Sequence, residues 1–264
     1  MSFSLRPTVR RRITRLTTYA VFVAIVVVVA LTANWHSLAQ NFADLDVARK
    51  LWPRILLTAG NTIWYTVVCF VLGLLLAVVF ALMKMSKGPF GWFAAAYIEL
   101  FRGMPALLTI LFMAFAIPIA FKGTKLPGGT LGGGLLALII VTSAYTAEII
   151  RAGIEAVPVG QHEAARSLGM GSMRTTFTVI LPQAFRIVIP PLTNEFVTLL
   201  KDTSLLYIAG LTMMQNELTT FGKAGLSTYA NSTPLIAVAL VYLIITIPLT
   251  YLVGRLEKSM ARRK

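Results

Sequence analysis

The chain has 264 residues, 57% apolar and only 13% charged, where a soluble domain carries about 25% charged residues, so lipid must solvate most of it. Its formal charge of +14 raises nucleic acid as a partner, but Lys and Arg cluster between or beyond apolar runs and form no aromatic-interleaved patch, so nucleic acid is excluded and the charges read as topology signals. The single cysteine, Cys69, rules out a disulfide framework and suits a small buried filler, while His36 and His162 share no ligand spacing, so no metal site is expected.

Taken in order, Arg6, Arg10, Arg11, Arg12 and Arg15 precede an apolar run from Leu16 to Ala33. A signal peptide starts in the same way, but this core is long for one and no clean small-x-small site follows, so it is read as an uncleaved first span. Asn34 to Arg54 is polar, with Trp35 and Trp52 placed as interfacial anchors. The second run, Ile55 to Met83, exceeds the roughly 20 residues that cross a bilayer, and Gly73 and Ala77 offer a small face for close packing. The third, Trp92 to Ala120, places Glu99 and Arg102 three apart and able to pair, then meets Gly103 and Pro105, which loosen or kink the helix. The fourth, Leu131 to Val157, again sets an acid and a base three apart, Glu148 and Arg151.

Pro158 must end that helix. Gln161 to Leu168 is predicted as a short, water-exposed helix with small Ala164 and Ala165 beside Leu168, closed by Gly169 and Gly171, where a left-handed residue is commonly needed. Such a segment fits either a docking peg or an amphipathic helix lying on the lipid surface. The fifth run, Thr176 to Leu200, is expected to be broken by Pro182, Pro190 and Pro191. Lys201 to Asn231 is expected outside the membrane, with a short helix near Thr212 to Thr220, and the sixth run covers Pro234 to Gly254. The expected architecture is therefore an all-α integral membrane protein of six spans. A cytoplasmic N-terminus places fourteen of the 24 Lys and Arg inside and seven outside, so both termini and the 158–175 loop are expected in the cytoplasm.

No phosphate-binding loop is present: Gly222-Lys223 is the nearest candidate, but Glu217 and Ala224 hold the required Gly and Ser/Thr positions. No nucleophile elbow and no Cys/His pair appears. The chain is thus expected to be non-catalytic and to bind no cofactor. Two carboxylates fall within or beside the fifth run, Glu195 and Asp202. They lie seven apart and hence on one helix face, and they either line a pathway or serve structure by pairing and capping.

Glu163-Ala164-Ala165, three residues, Gly169, nine residues, Val179, one residue and Leu181-Pro182 resembles the EAA loop of permease subunits from bacterial ABC importers, with Val179 where Ile is usual. Glu99-Leu100-Phe101-Arg102-Gly103-Met104-Pro105 is similar to a stretch of the polar amino acid permeases of the His/Glu/Gln/Arg/opine type, with Met104 in place of Thr. Ala144 to Ile154, Leu181 to Arg186, Pro190 to Phe196 and Leu199 to Leu205 are also close to that family. The resemblance covers about residues 55 to 256, a five-helix core with its coupling loop at about 158–175. It leaves residues 1–54, with an extra first span, and a basic tail at 257–264 outside.

It implies a type I importer permease in the bacterial inner membrane, forming half of an amino acid pathway. Its partners would be a dimer of ATP-binding subunits that use ATP and Mg, an extracytoplasmic solute-binding protein and a second permease, all within the lipid bilayer. Gln161, Glu163, Ala164, Ala165, Arg166, Leu168 and Gly169 would form the coupling helix. Glu195, Asp202, Asn194 and Thr198 would line the substrate pathway, while Glu99, Arg102, Glu148 and Arg151 would form gate or structural ion pairs. A secondary transporter of small polar solutes is the alternative; it would need no docking helix and often shows an inverted repeat, of which no convincing trace is found.

Overall fold

A computed structural model describes residues 7–121 and 126–261, with side chains from residue 14 to residue 260. The basic residues expected to sign the two ends (Arg6 and Arg262, Arg263, Lys264) and the turn lysines Lys122 and Lys125 lie outside the described residues, and Arg10, Arg11 and Arg12 lie outside the described side chains.

All regular structure among the described residues is helical, with no strand. A first helix, α1 (Pro7–Thr32), leads to two short ones, α2 (Trp35–Phe42) and α3 (Leu45–Leu51), and then to the long α4 (Arg54–Met85). After α5 (Pro89–Gly103) come α6 (Ala106–Leu111), a π-turn (Phe112–Ala116) and α7 (Ile117–Ala120). The long α8 (Gly129–Glu155) is followed by α9 (Val159–Ser167), α10 (Ser172–Thr175), a second π-turn (Thr176–Ile180) and α11 (Leu181–Asp202). A 3₁₀ turn (Thr203–Ala209) then leads to α12 (Leu218–Tyr229) and α13 (Thr233–Ala261).

Five helical stretches are long and apolar enough to cross a membrane: Thr14–Thr32, Arg54–Met85, Gly129–Glu155, Ser172–Ala209 and Thr233–Met260. The third apolar run, expected as one span, is instead two helices bent by 106° between Gly103 and Ala106. Pro105 forces the residue before it out of helical conformation, and Met104 is extended, with φ −98° and ψ 135°. The expected break inside the fifth run is absent, because α11 continues through Pro190 and Pro191. Proline's fixed φ is helical, so each removes one backbone bond without ending a 22-residue helix. The strain moves upstream: each π-turn contains the residue four before a proline, Ala114 before Pro118 and Thr178 before Pro182, and the wider turn makes room for the ring. Beyond the fifth run, the short helix lies at Leu218–Tyr229 and not near Thr212 to Thr220.

The core is organised on α8, of whose span 56% is buried, against 17% for α13 and 0% for α1, so α8 is the axis and α1 stands apart from the bundle. Small residues make this possible: Gly133, Gly134, Ala137, Ala144, Ala147 and Gly153 are all buried on α8. The small face expected on α4 meets it, with Gly73 and Ala77 both buried. A Cβ at Gly73 would stand 3.1 Å from the Thr142 methyl and 3.3 Å from the Ile139 carbonyl. Cys69 is fully buried nearby, as a small filler, its thiol 3.6 Å from the Leu135 carbonyl. On the other flank Tyr97 of α5 stacks on Phe80 of α4 at 3.8 Å and shares a 2.7 Å hydrogen bond with Ser143 of α8.

At the end where α4 starts, polar side chains fix the irregular segment before α12. Asn61 donates to the carbonyls of Met214 (3.1 Å) and Asn216 (3.0 Å), and Tyr65 donates to that of Gln215 (3.0 Å). Glu217 is fully buried and caps α12, accepting from the backbone amides of Thr219 (2.5 Å) and Thr220 (2.6 Å) and from the Tyr242 hydroxyl (3.3 Å). Burial raises its pKa, and these hydrogen bonds act in the opposite direction. The turn between α12 and α13 is tied to the α2–α3 corner, with the Ser232 amide donating to the Asn41 carbonyl at 2.7 Å and the Asp44 amide to the Thr233 hydroxyl at 3.0 Å.

The contact between α8 and the first π-turn is backbone to backbone. A Cβ at Gly133 would fall 2.6 Å from the Ala114 Cα and 2.8 Å from the Met113 carbonyl oxygen. Gly133→Ala is expected to destabilise the bundle by about 1–3 kcal/mol. Gly160→Ala on α9, where nothing lies within 4 Å, should leave it unchanged or slightly stabilised. Thermal unfolding in detergent micelles measures both, and equal midpoints would refute the close-packing account.

Candidate functional site

The break between α5 and α6 exposes backbone that a continuous helix would hide. It opens a cavity of about 430 Å³ between α5–α6, α8 and α11, whose lining includes Arg102, Thr142, Tyr145, Glu195, Thr198 and Asp202. Glu195 and Asp202, seven apart on α11, thus face one space, and neither makes a hydrogen bond or ion pair among the described residues. Thr198 lies between them in sequence and joins the wall. Asn194 does not: it is exposed and is not among the lining residues, and its carbonyl accepts from the Thr198 hydroxyl at 3.1 Å. The neighbouring i, i+1 position points its side chain about a quarter-turn off the lining face.

Below this wall lies a charge cluster on α8. Glu148 accepts from Lys84 of α4 at 3.1 Å and from Arg151 at 3.1 Å and 2.5 Å, with Arg102 of α5 at 4.0 Å. Arg151 also reaches Glu155. One carboxylate therefore joins three helices. The expected Glu99–Arg102 pair does not form. Glu99 is exposed, whereas Arg102 turns to α8, where its guanidinium lies 5.6 Å from the centre of the Tyr145 ring and its carbonyl accepts from the Tyr145 hydroxyl at 3.2 Å. A partner on another helix, carboxylate and ring together, outcompetes an exposed i, i+3 pair.

The third part of the site is α9. Pro158, with ψ 132°, ends α8's exit turn and starts α9 two residues earlier than expected, and the helix closes at Ser167 with Leu168 as its cap. Gly169 has φ +78° and its amide donates to the Arg166 carbonyl (3.0 Å), while the Met170 amide donates to that of Ala165 (3.1 Å), the paired bonds of a Schellman end. Gly171 is not left-handed; it is extended and precedes α10. Arg166 adds a 2.8 Å bond to the Met170 carbonyl. Ala165 is buried, but Ala164, Gln161 and Glu163 are exposed, and Leu168 is 84% and Val159 71% exposed. Gln161 is linked to α11 through Gln183, which donates to it at 3.3 Å and to the Val179 carbonyl at 2.9 Å.

Sequence reading missed Lys84, Thr142, Tyr145 and Gln183. Tyr145 carried a signal, since 145, 148 and 151 repeat every three residues along one face of α8. Lys84 carried none, because its partner lies 64 positions away.

With the geometry in place, comparison with known proteins is informative. Residues 70–262 match the family model of binding-protein-dependent transport system inner membrane components. The L-cystine transport system permease protein of Bacillus subtilis (strain 168) is 44% identical over 162 residues, 60% of this chain and 67% of that protein. The glutamine transport system permease protein of Escherichia coli (strain K12) is 34% identical over 221 residues, 80% of this chain and 95% of the relative. A crystal structure of an amino acid ABC transporter with histidines superimposes with a TM-score of 0.74 at 35% identity, covering 82% of this chain and 99% of that one.

Glu148 belongs to the charge cluster and Glu99 does not, so the two acids should respond unequally to neutralisation. Glu148→Gln leaves Lys84 and Arg151 without a carboxylate at a site only 21% exposed, and is expected to lower stability by about 1–3 kcal/mol. Glu99→Gln should change it by less than about 0.5 kcal/mol. Chemical denaturation of the two variants side by side checks the assignment, and a larger loss for Glu99 would overturn it.

Proposed function

Since the chain belongs to the family of binding-protein-dependent transport system inner membrane components, multi-pass membrane proteins that act as transport components and not as catalysts, we propose that it forms half of the translocation pathway of an ATP-driven amino acid importer. The observation that carries the reading is α9, a nine-residue helix ended by the Gly169 turn, with Val159 at its first position and Leu168 at its cap both left uncovered. Uncovered apolar side chains on a short helix between two spans fit a docking peg for an ATP-binding subunit, and the family match supports that reading over a lipid-surface helix.

In this proposal α9 is the coupling helix. Gln161, Glu163, Ala164, Arg166 and Leu168 face the cleft of an ATP-binding subunit, with Ala165 and Gly169 setting its seat and its end. Two ATP-binding subunits, which use the ATP and Mg, serve two permeases, and a solute-binding protein delivers cargo on the opposite side. Residues 1–54 supply an extra span, the bent α5–α7 pair completes a sixth, and both termini lie in the cytoplasm. The unpaired carboxylates of Glu195 and Asp202 support a pathway for a positively charged group. An amino acid's ammonium, or a cationic side chain, would pass them with Thr198 as a hydrogen-bonding wall, and a carboxylate at mid-bilayer costs about 2.5–3.5 kcal/mol, which a passing cation offsets. The names of the relatives, glutamine and L-cystine permeases, support amino acids as cargo.

Mechanically, α9 lies in the chain between α8 and α11, two of the helices that line the cavity. Closure of the ATP-binding subunits would move α9, and Pro158 and the Gln161–Gln183 contact would pass that displacement to both helices.

Two experiments test the proposal. Leu168→Asp should leave membrane insertion intact and reduce co-purification of the ATP-binding subunit by roughly 10-fold or more, equivalent to about 1.4 kcal/mol, while Leu75→Ala on the exposed face of α4 changes nothing. A permease that recruits no ATP-binding subunit in its native form would favour a secondary transporter. Glu195→Gln should lower uptake in reconstituted vesicles by roughly 10-fold, as expected for one lost charge-assisted bond, with the ATP-binding subunit still bound. Unchanged rate and unchanged amino acid preference would remove Glu195 from the pathway.

A further inference from the structure

The cavity between α5–α6, α8 and α11 carries its charges at two levels, and two close contacts fix which residues share a level. A Cβ at Gly134 of α8 would fall 2.7 Å from a Leu206 methyl, and one at Gly153 would fall 2.1 Å from a Val188 methyl. The two elements therefore run antiparallel in a fixed register. Four residues in from the Gly134–Leu206 contact, Leu138 stands level with Asp202, and eleven residues in, Tyr145 stands level with Glu195. Counting from the Gly153–Val188 contact gives the same pairing to within one residue.

The inner level, toward α9, holds one charge of each sign. Arg102 is tied there by its carbonyl, which accepts from the Tyr145 hydroxyl at 3.2 Å, and its guanidinium lies 5.6 Å from the centre of the Tyr145 ring. Among the described residues that guanidinium makes no hydrogen bond, and Glu148 comes no closer than 4.0 Å, so its planar fork of donors is open to a ligand. Glu195 joins it from α11, also unpaired among the described residues. The outer level holds one charge only. Asp202 lines it unpaired, with Leu138 opposite and Leu199 one turn back along α11, while Lys201, its neighbour in sequence, is exposed and outside the lining.

Seven residues of helix separate the two carboxylates, a rise of about 10 Å. A guanidinium beside a carboxylate complements the carboxylate and ammonium of an α-amino acid head group. With the head group at the inner level, only a side chain ending in a cation uses Asp202, and the stretch between the levels leaves room for an aliphatic stem of about four carbons. A neutral side chain would desolvate Asp202 without pairing it, which selects against it. Taking the cavity as the amino acid pathway proposed above, we propose that its substrate class is the basic α-amino acids, of the arginine and lysine type. Arg102 holds the α-carboxylate, Glu195 the α-ammonium and Asp202 the cationic end of the side chain.

The test is equilibrium binding of radiolabelled L-arginine to the full-length chain with its ATP-binding subunits in lipid nanodiscs. The solute-binding protein is left out, because its own selectivity would mask that of the cavity. L-Glutamine, which keeps the head group, and agmatine, which is arginine without its carboxylate, serve as competitors. Each should bind roughly 10-fold more weakly than L-arginine or worse, for want of one charge-assisted contact. Asp202→Asn should weaken L-arginine on the order of 10-fold and bring it level with L-glutamine, whereas Asp202→Glu should keep the preference, which guards against loss through misfolding. A preference for L-arginine that survives Asp202→Asn would overturn the proposal. So would glutamine or agmatine matching arginine in the wild type, or no arginine binding at all. None of these outcomes touches the importer reading, which stands or falls on whether the ATP-binding subunits co-purify with the chain.

Discussion

Helices in a bilayer gain little from burying apolar side chains against one another, because lipid tails are equally apolar, so cohesion depends on how closely backbones can approach. In this protein that approach is concentrated on α8. Gly133 lies against the backbone of the first π-turn, Gly73 lies against Thr142, and a Cβ at Gly153 would fall 2.1 Å from a Val188 methyl. Four other helices, α4, α5, α6 and α11, take their positions from this one surface. The cavity wall contributed by Leu138, Val141, Thr142 and Tyr145 is on the same helix, so packing and cavity geometry are set together.

Close packing leaves little room for adjustment, and the prolines show where it is made. Pro105 breaks a span outright and thereby exposes the backbone that lines the cavity. Pro118 and Pro182 are each preceded by a π-turn, and Pro190 and Pro191 are absorbed in place. The difference lies in the residue before the ring. Met104 goes extended beside Gly103, which has the most conformational freedom to lose in a helix, whereas Ile189 stays helical within a 22-residue helix anchored at both ends. Proline thus produces an opening in one helix and continuity in another, and both outcomes serve the same cavity.

Which features could be read from the sequence follows from how local their causes are. The apolar runs, the end of α8 before Pro158 and the left-handed Gly169 depend on neighbours within a few positions; α4 and α8 begin and end within about two residues of the second and fourth runs, whereas the third run is bent in two and α13 continues to Ala261, well past the expected end. The face shared by Glu195 and Asp202 is likewise local periodicity. Asn194, one position before Glu195, is turned off that face by the same helical geometry. The Glu99–Arg102 pairing failed for the opposite reason: spacing allowed it, but a carboxylate and an aromatic ring 43 to 46 positions along the chain were closer in space. Asn61, which looked like an interruption of an apolar run, is the donor that holds the segment before α12, about 155 positions away. No pattern in a single sequence encodes such a pairing.

The charge cluster bears on how motion could travel between α9 and the cavity. Arg102 belongs to the cavity lining and to the Glu148 cluster at once, Lys84 is in the last turn of α4, and Glu155 is the last residue of α8, three positions before Pro158. Any displacement of the α8 end must therefore either carry Lys84 and Arg102 along or separate them from Glu148. Separating charges at a site only about a fifth exposed is costly, so the first course is favoured and the helices move as a block. On the α11 side the link is weaker, a 3.3 Å amide contact between Gln161 and Gln183 backed by a second bond to Val179, next to the wide π-turn. On the proposed reading, in which an ATP-binding subunit pulls α9 and Glu195 lines the pathway, a stiff ionic connection to one wall and a compliant one to the other would let the two walls separate.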